Sequence, residues 1–138
     1  MIEAKNKGTS YFTFNNLAKY SNLSVFVSTR ESGNMNMGSE NSTEYVNNRK
    51  KFLKIFGVEL SQTVFCEQVH GSNVTEVDET ILIKPNEIGL NIVAGADGLI
   101  TNVKNICLVV KTSDCVPLVM YDPKKDAIGI AHAGWKGT

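Results

Sequence analysis

The chain has 138 residues, of which 42% are hydrophobic and 20% charged, with only 3 prolines. That is one domain's worth of chain with enough apolar material for a core, and it excludes a disordered tail. Fourteen basic residues balance 14 acidic ones, which argues against DNA or RNA as the main partner, because nucleic-acid binders carry a basic surplus. In chain order, Tyr11, Phe12 and Phe14 suit a short strand closed by an Asn15-Asn16 turn. Leu23, Val25 and Val27 then alternate with Ser24, Phe26 and Ser28, which is strand periodicity. Residues 31–43 are rich in Gly, Ser and Asn and read as a long, functional loop.

The spacing next predicts a helix from about Thr43 to Phe56. Tyr45, Val46, Arg49, Phe52, Leu53 and Phe56 fall on one face, and Gly57 stands where a left-handed cap ends the helix. Asn41 and Glu44 have capping-box spacing, with Asn in place of the usual Ser or Thr. Lys50, Lys51 and Lys54 lie in the later turns, where they complement the helix dipole.

After Gly57 the pattern is sheet. Residues 63–69, 74–77, 99–101, 106–111, 117–121 and 127–131 are predicted strands, and Asp122-Pro123-Lys124-Lys125-Asp126 is a hairpin turn. Residues 106–110 and 116–120 are nearly continuous apolar runs, so both strands are expected to be buried on two faces. One helix and many strands make the class α+β.

No apolar run nears the roughly 20 residues needed to cross a bilayer. The opening residues, with Glu3, Lys5, Lys7 and Lys19, lack the unbroken apolar stretch of a secretory signal. Cys66, Cys107 and Cys115 are an odd number without scaffold spacing, so the expectation is reduced thiols in a cytoplasmic protein. The chain stops on His132-Ala133-Gly134-Trp135-Lys136-Gly137-Thr138, straight after a strong apolar strand. Those residues look like the interior of a site, so the single domain is expected to be the N-terminal part of a longer one.

Three side chains stand out chemically. His70 and His132, the two histidines of the chain, fall at strand ends, and Cys115 lies at the junction between two apolar strands. Two imidazoles and one thiolate make a first shell for Zn²⁺ with a fourth position left open, the catalytic rather than structural arrangement. The spacing alone is unspecific, and a strand-end His is more often a hydrogen-bonded structural residue. Cysteine is commonly a buried apolar residue, which suits Cys66 and Cys107 better than Cys115, set in a polar turn after Asp114. Cys115 as a nucleophile with His132 as its base is a second reading. Arg30 has the fork for a phosphate or carboxylate, and Asn36 can hydrogen-bond a base or sugar edge, against the plainer reading of both as surface residues. Asp97, in Gly95-Ala96-Asp97-Gly98-Leu99, is either a turn former or a site carboxylate.

Four segments occur in one order: Gln68-Val69-His70-Gly71, Ala96-Asp97-Gly98-Leu99-Ile100-Thr101, Thr112-Ser113-Asp114-Cys115-Val116-Pro117 and His132-Ala133-Gly134-Trp135-Lys136-Gly137. Together they resemble the family once called multicopper polyphenol oxidoreductase or laccase-domain proteins, now regarded as purine nucleoside phosphorylases with adenosine deaminase activity. Ser28-Thr29-Arg30, Asn36-Met37-Gly38 and Asn48-Arg49 match more loosely. The resemblance implies a zinc site from His70, Cys115 and His132, and an α+β fold of the kind shared with cytotoxic-necrotizing-factor-like cysteine hydrolases. It implies purine nucleosides and phosphate as substrates. Arg30 and Asn36 are then the substrate-binding candidates, and Asp97 and Asp114 the candidates for moving protons. Copper, the metal of the older label, fits poorly, since a laccase needs several copper centres and many histidines. Two alternatives remain: a metal-free cysteine hydrolase using Cys115 and His132, and an inactive fragment that associates with another copy or a partner through an exposed sheet edge.

Overall fold

The computed structural model describes residues 1–36, 42–83, 85, 86 and 89–137. They form two compact units, Met1–Glu59 and Leu60–Thr138.

In the first unit, β1 (Ile2–Asn6) and β2 (Thr9–Thr13) form an antiparallel hairpin, and β3 (Val27–Ser28) pairs with β2. The hairpin turns through Lys7 and Gly8, both at positive φ. The strand expected from Leu23 is shorter than its alternation suggests: residues 23–26 join no ladder, and pairing starts at Val27. The loop after it begins with a 3₁₀ turn at Arg30–Ser32. Met37, Gly38 and the Asn41 half of the expected capping box lie outside the described residues.

Helix α1 runs Ser42–Ile55. Its buried side is the expected one, with Arg49, Phe52 and Leu53 buried. Gly57 has φ +71°, and its N–H donates to the Lys54 carbonyl while that of Val58 reaches back to Leu53. These two bonds are the Schellman pair that satisfies the last carbonyls of a helix. Phe56 stacks on Phe26 with ring centroids 4.1 Å apart, and Phe52 and Tyr11 meet the Phe56 ring edge-on. The buried Arg49 guanidinium donates to the Met35 carbonyl through Nε and Nη2, and Asn48 donates to the Asn34 carbonyl. Burial pulls the Arg49 pKa below its ordinary value.

The second unit holds two sheets. A parallel one has the order β6–β4–β8, from β4 (Thr63–Cys66), β6 (Asn91–Val93) and β8 (Cys107–Val109). Its central strand β4 is buried at every position, as parallel strands covered on both faces are. The other sheet has the order β5–β7–β10–β9, from β5 (Val74–Glu76), β7 (Gly98–Thr101), β9 (Val116–Asp122) and β10 (Ala127–Ala133). Val64, Cys66, Val77, Ala96, Leu99, Ile106 and Leu108, drawn from both sheets and the segments between strands, form the core cluster of this unit. Sheets with a single α-helix among the described residues make the fold α+β.

The expected burial on both faces fails for both strands: in β8, Cys107 and Val109 are only half-buried. Val116, Leu118 and Met120 are 58%, 46% and 48% exposed, so the 116–120 run is not buried on both faces. Among the described residues β9 is an edge strand, paired to β10 alone. The alternate residues of β9 are half-buried, while Val116, Leu118 and Met120 stand on a bare face. Among the described residues no helix is long and apolar enough to cross a membrane.

Candidate metal centre

The parallel sheet explains how residues distant in sequence converge. Parallel strands end at the same edge, where open α/β sheets place their sites. The segment leaving β4 carries His70, the one leaving β6 carries Asp97, and the one leaving β8 carries Cys115. His132 comes from β10 of the other sheet, where its N–H donates to the Asp97 carbonyl at 2.8 Å.

The donor atoms of His70, Cys115 and His132 lie within 4.8 Å of one another. The two imidazole rings sit edge to face with centroids 4.9 Å apart. His132 is buried, Cys115 half-buried and His70 exposed. Tetrahedral zinc with nitrogen ligands at about 2.0 Å and sulfur at about 2.3 Å needs donors roughly an ångström closer than that limit. His70, the exposed member, has the room to move in.

Asp97 organises this cluster. Its carboxylate is buried, and Oδ1 lies 3.1 Å from His132 Nδ1. Oδ1 also accepts from the His70 N–H at 3.0 Å, and Oδ2 from the Gly71 N–H at 2.8 Å. Burial pushes the carboxyl upward, but the bonds from Gly71, His132 and His70 outweigh it and hold the group below its ordinary value. With Nδ1 committed to Asp97, His132 presents Nε2 to a metal, the carboxylate–histidine arrangement common behind ligating imidazoles. Between its two readings, turn former and site carboxylate, Asp97 is therefore placed as the support of the cluster.

Gly134 closes the space beside the ligands. A Cβ there would sit 3.3 Å from His132 Cε1, 3.6 Å from His70 Cδ2 and 3.7 Å from Cys115 Sγ. His70 itself has φ +61°, a left-handed conformation uncommon outside glycine.

The remaining sequence candidates are not among the three clustered donors. Asp114 is exposed and accepts from the Ser113 hydroxyl at 3.3 Å. Arg30 and Asn36 belong to the first unit, both exposed; the Asn36 N–H donates to the Asn34 side chain. Cys66 is buried and its thiol is pushed up to about 11 by burial, then by the charge of Asp97. Cys107 is likewise pushed up to about 11 by burial. Cys66 is buried as the plain structural reading expects, whereas Cys107 is half-buried. Gln68 and Gly134 were given no role by the sequence reading. The signal for each was its place two residues from a histidine, His132 for Gly134 and His70 for Gln68, inside the quoted segments.

The donor set and its carboxylate brace define the one candidate metal centre among the described residues, at the edge where the parallel strands end. The chain belongs to the multi-copper polyphenol oxidoreductase laccase family, whose model matches residues 21–138. The purine nucleoside phosphorylase YlmD of Bacillus subtilis is 37% identical over 99 residues, 72% of this chain and 36% of that protein. A purine nucleoside phosphorylase of Bacteroides thetaiotaomicron is 34% identical over 135 residues, covering 91% of this chain and 50% of its own length. A protein named adenosine deaminase, from an unknown prokaryotic organism, is 36% identical over 85 residues, 59% of this chain and 31% of that one. Among solved structures, the hypothetical protein YfiH of Bacillus licheniformis matches with TM-score 0.65 and 33% identity, over 75% of this chain and 40% of that chain. The chain thus spans 36% to 50% of the length of the first two of these relatives.

Proposed function

We propose that this chain carries the metal centre of a zinc-dependent purine nucleoside phosphorylase with adenosine deaminase activity, acting on adenosine- and inosine-type nucleosides. The observation that carries the reading is the cluster of His70, Cys115 and His132 donors within 4.8 Å, braced by Asp97. The names of the relatives support the reaction class. Two nitrogens and a soft sulfur suit Zn²⁺, and three protein ligands leave a position open. Copper chemistry of the laccase type needs several centres, whereas this chain has two histidines, both in the one cluster.

His70, Cys115 and His132 hold the ion, which when bound supplies Lewis acidity for activating water or substrate. In deamination, water replaces the amino group at C6 of adenosine and ammonia leaves. In phosphorolysis, phosphate attacks the ribose C1′ and the purine departs. Asp97 keeps the His132 ring in one tautomer and orientation. Asp114, the exposed carboxylate one residue from Cys115, is the proton carrier. Arg30 forks onto phosphate and Asn36 bonds the nucleoside, the roles their side chains suit best.

One experiment tests the core of this reading. Zinc is counted per chain after dialysis against chelator, for the wild type and for Cys115→Ser, alongside inosine and free-base release from adenosine with and without phosphate. One zinc per wild-type chain, lost in the Ser variant, is the expected result, because a hydroxyl is a poor substitute for a soft thiolate. Stoichiometric zinc in the Ser variant removes Cys115 from the ligand set.

The Cys115, His132 and Asp97 grouping favours one second reading, a metal-free thiol hydrolase in which His132 takes the Cys115 proton and Asp97 orients the imidazole. Iodoacetamide separates the two. Alkylation of Cys115 that is unaffected by added zinc supports the hydrolase, and protection by zinc supports the metal centre.

A further inference from the structure

The ladder between β4 and β8 stops at the pair Phe65 and Val109. Beyond it the chain turns: Gln68 takes φ +66° and His70 φ +61°. On the β6 side the segment stays stitched by backbone, with Glu67 N–H donating to Val93 O and Gln68 N–H to Ala96 O. The Glu67 carboxylate adds a bond from the Gly95 N–H at 2.7 Å. On the β8 side a side chain takes over. The Gln68 carboxamide donates to the Lys111 carbonyl at 2.6 Å and accepts from the Lys111 N–H at 2.7 Å.

Those two bonds imitate the pair that one more strand residue would have made. They join the chain two residues before His70 to the chain four residues before Cys115. We propose that Gln68 is a positioning residue of the metal centre: its carboxamide clamps the His70 segment to the Cys115 segment and so sets the spacing of two ligands that share no strand. The inference rests on the metal-centre reading given above.

The backbone supports a clamp rather than an incidental contact. A non-glycine residue in the left-handed region is strained, and such conformations persist where surrounding bonds over-determine them. Glycine would occupy φ +66° without that strain. A glutamine there is explained by what its side chain holds. Ligand supports of this kind change metal affinity by roughly 10- to 100-fold when removed.

The test uses the full chain with Gln68→Leu and Gln68→Gly. Leu keeps bulk and loses both bonds. Gly also loses them but suits the local backbone, so it guards against a variant that fails to fold. Zinc Kd is measured by chelator competition, and the metal-free Tm is recorded for each. Cobalt substitution supplies a spectroscopic readout, since the thiolate charge-transfer band reports whether sulfur still binds. The expected result is a zinc Kd raised roughly 10- to 100-fold in both variants, with a weakened cobalt–thiolate band and, for Gly, a metal-free chain that still unfolds cooperatively. Wild-type Kd in a folded Gly variant overturns the clamp. A wild-type chain that binds no zinc sinks the metal-centre reading instead, so the two failures are distinguishable.

Discussion

The two units solve different problems with different materials. Met1–Glu59 centres on aromatic packing: Phe26, Phe52, Phe56 and Tyr11 meet ring to ring beside a single amphipathic helix. Leu60–Thr138 has its aliphatic core cluster, yet buries Asp97 and His132 and holds Gln68 and His70 at positive φ. Polar burial and left-handed backbone both cost stability unless hydrogen bonds offset them. They occur together in the second unit, where the three candidate ligands converge.

The largest expected effect breaks the packing side. Phe52 is 6% exposed and meets both Phe26 and Phe56. Phe52→Ala should cost about 3–5 kcal/mol, the transfer and cavity terms of a buried aromatic, read by urea unfolding with the metal-free chain. A loss under 1 kcal/mol would mean that the aromatic cluster does not hold the first unit together.

The corresponding change on the chemical side is Asp97→Asn. It keeps the size of the side chain but removes the charge behind His132 and offers an amide where the His70 and Gly71 N–H groups need an acceptor. Zinc affinity should fall roughly 10- to 100-fold, measured by chelator competition. Unchanged affinity would leave Asp97 a turn former after all.

How far the sequence discloses each unit follows from the range of the forces involved. Helix α1 was legible because Tyr45, Val46, Arg49, Phe52, Leu53 and Phe56 repeat at helical spacing and Gly57 ends them, all within one short window. β1 was not, since Ile2 and Ala4 are its two apolar residues and neither is buried. β6 was missed because Asn91-Ile92-Val93 is only three residues long. The apolar run of β9 was read correctly as a strand and wrongly as buried, because composition cannot show whether a face is covered. At the site, residue type and order marked His70, Cys115 and His132. Asp97 stayed ambiguous because a buried brace and a turn Asp look alike in sequence. Gln68 stood in a quoted segment, but its role was not legible because its partner, Lys111, is 43 residues away.

A smaller change sharpens the helix end. Gly57 has φ +71° and nothing within 4 Å of a would-be Cβ. Gly57→Ala therefore meets no clash, and its cost of about 1 kcal/mol is conformational alone. Urea unfolding should show that loss with an unchanged m-value. No loss would mean the Schellman bonds of Lys54 and Leu53 do not depend on the left-handed residue.

The smallest expected effect concerns acid and the β9–β10 hairpin. Asp126, at φ +50°, accepts from Lys104 Nζ and from the Tyr121 hydroxyl, the latter at 2.8 Å. The Lys104 and Tyr121 hydrogen bonds, with the Lys104 charge, hold its carboxyl below the ordinary 3.8. The sign follows from linkage: a carboxylate with a folded pKa below its unfolded value binds protons less readily when folded. Its stabilisation is fully present above about pH 4 and is lost as pH falls through the folded value. The pair is solvent-exposed, so salt and side-chain entropy keep the contribution small. Hydrogen exchange of the Met120 and Gly129 amides, which flank the turn in paired register, should accelerate relative to neutral-pH expectation as the carboxylate protonates. Asp126→Asn should flatten that acid response and leave exchange near pH 7 close to the level set by the Tyr121 bond. An acid response as steep in the Asn variant as in the wild type would place the sensitive group elsewhere in the unit, with Asp78 and its Thr80 bonds next in line.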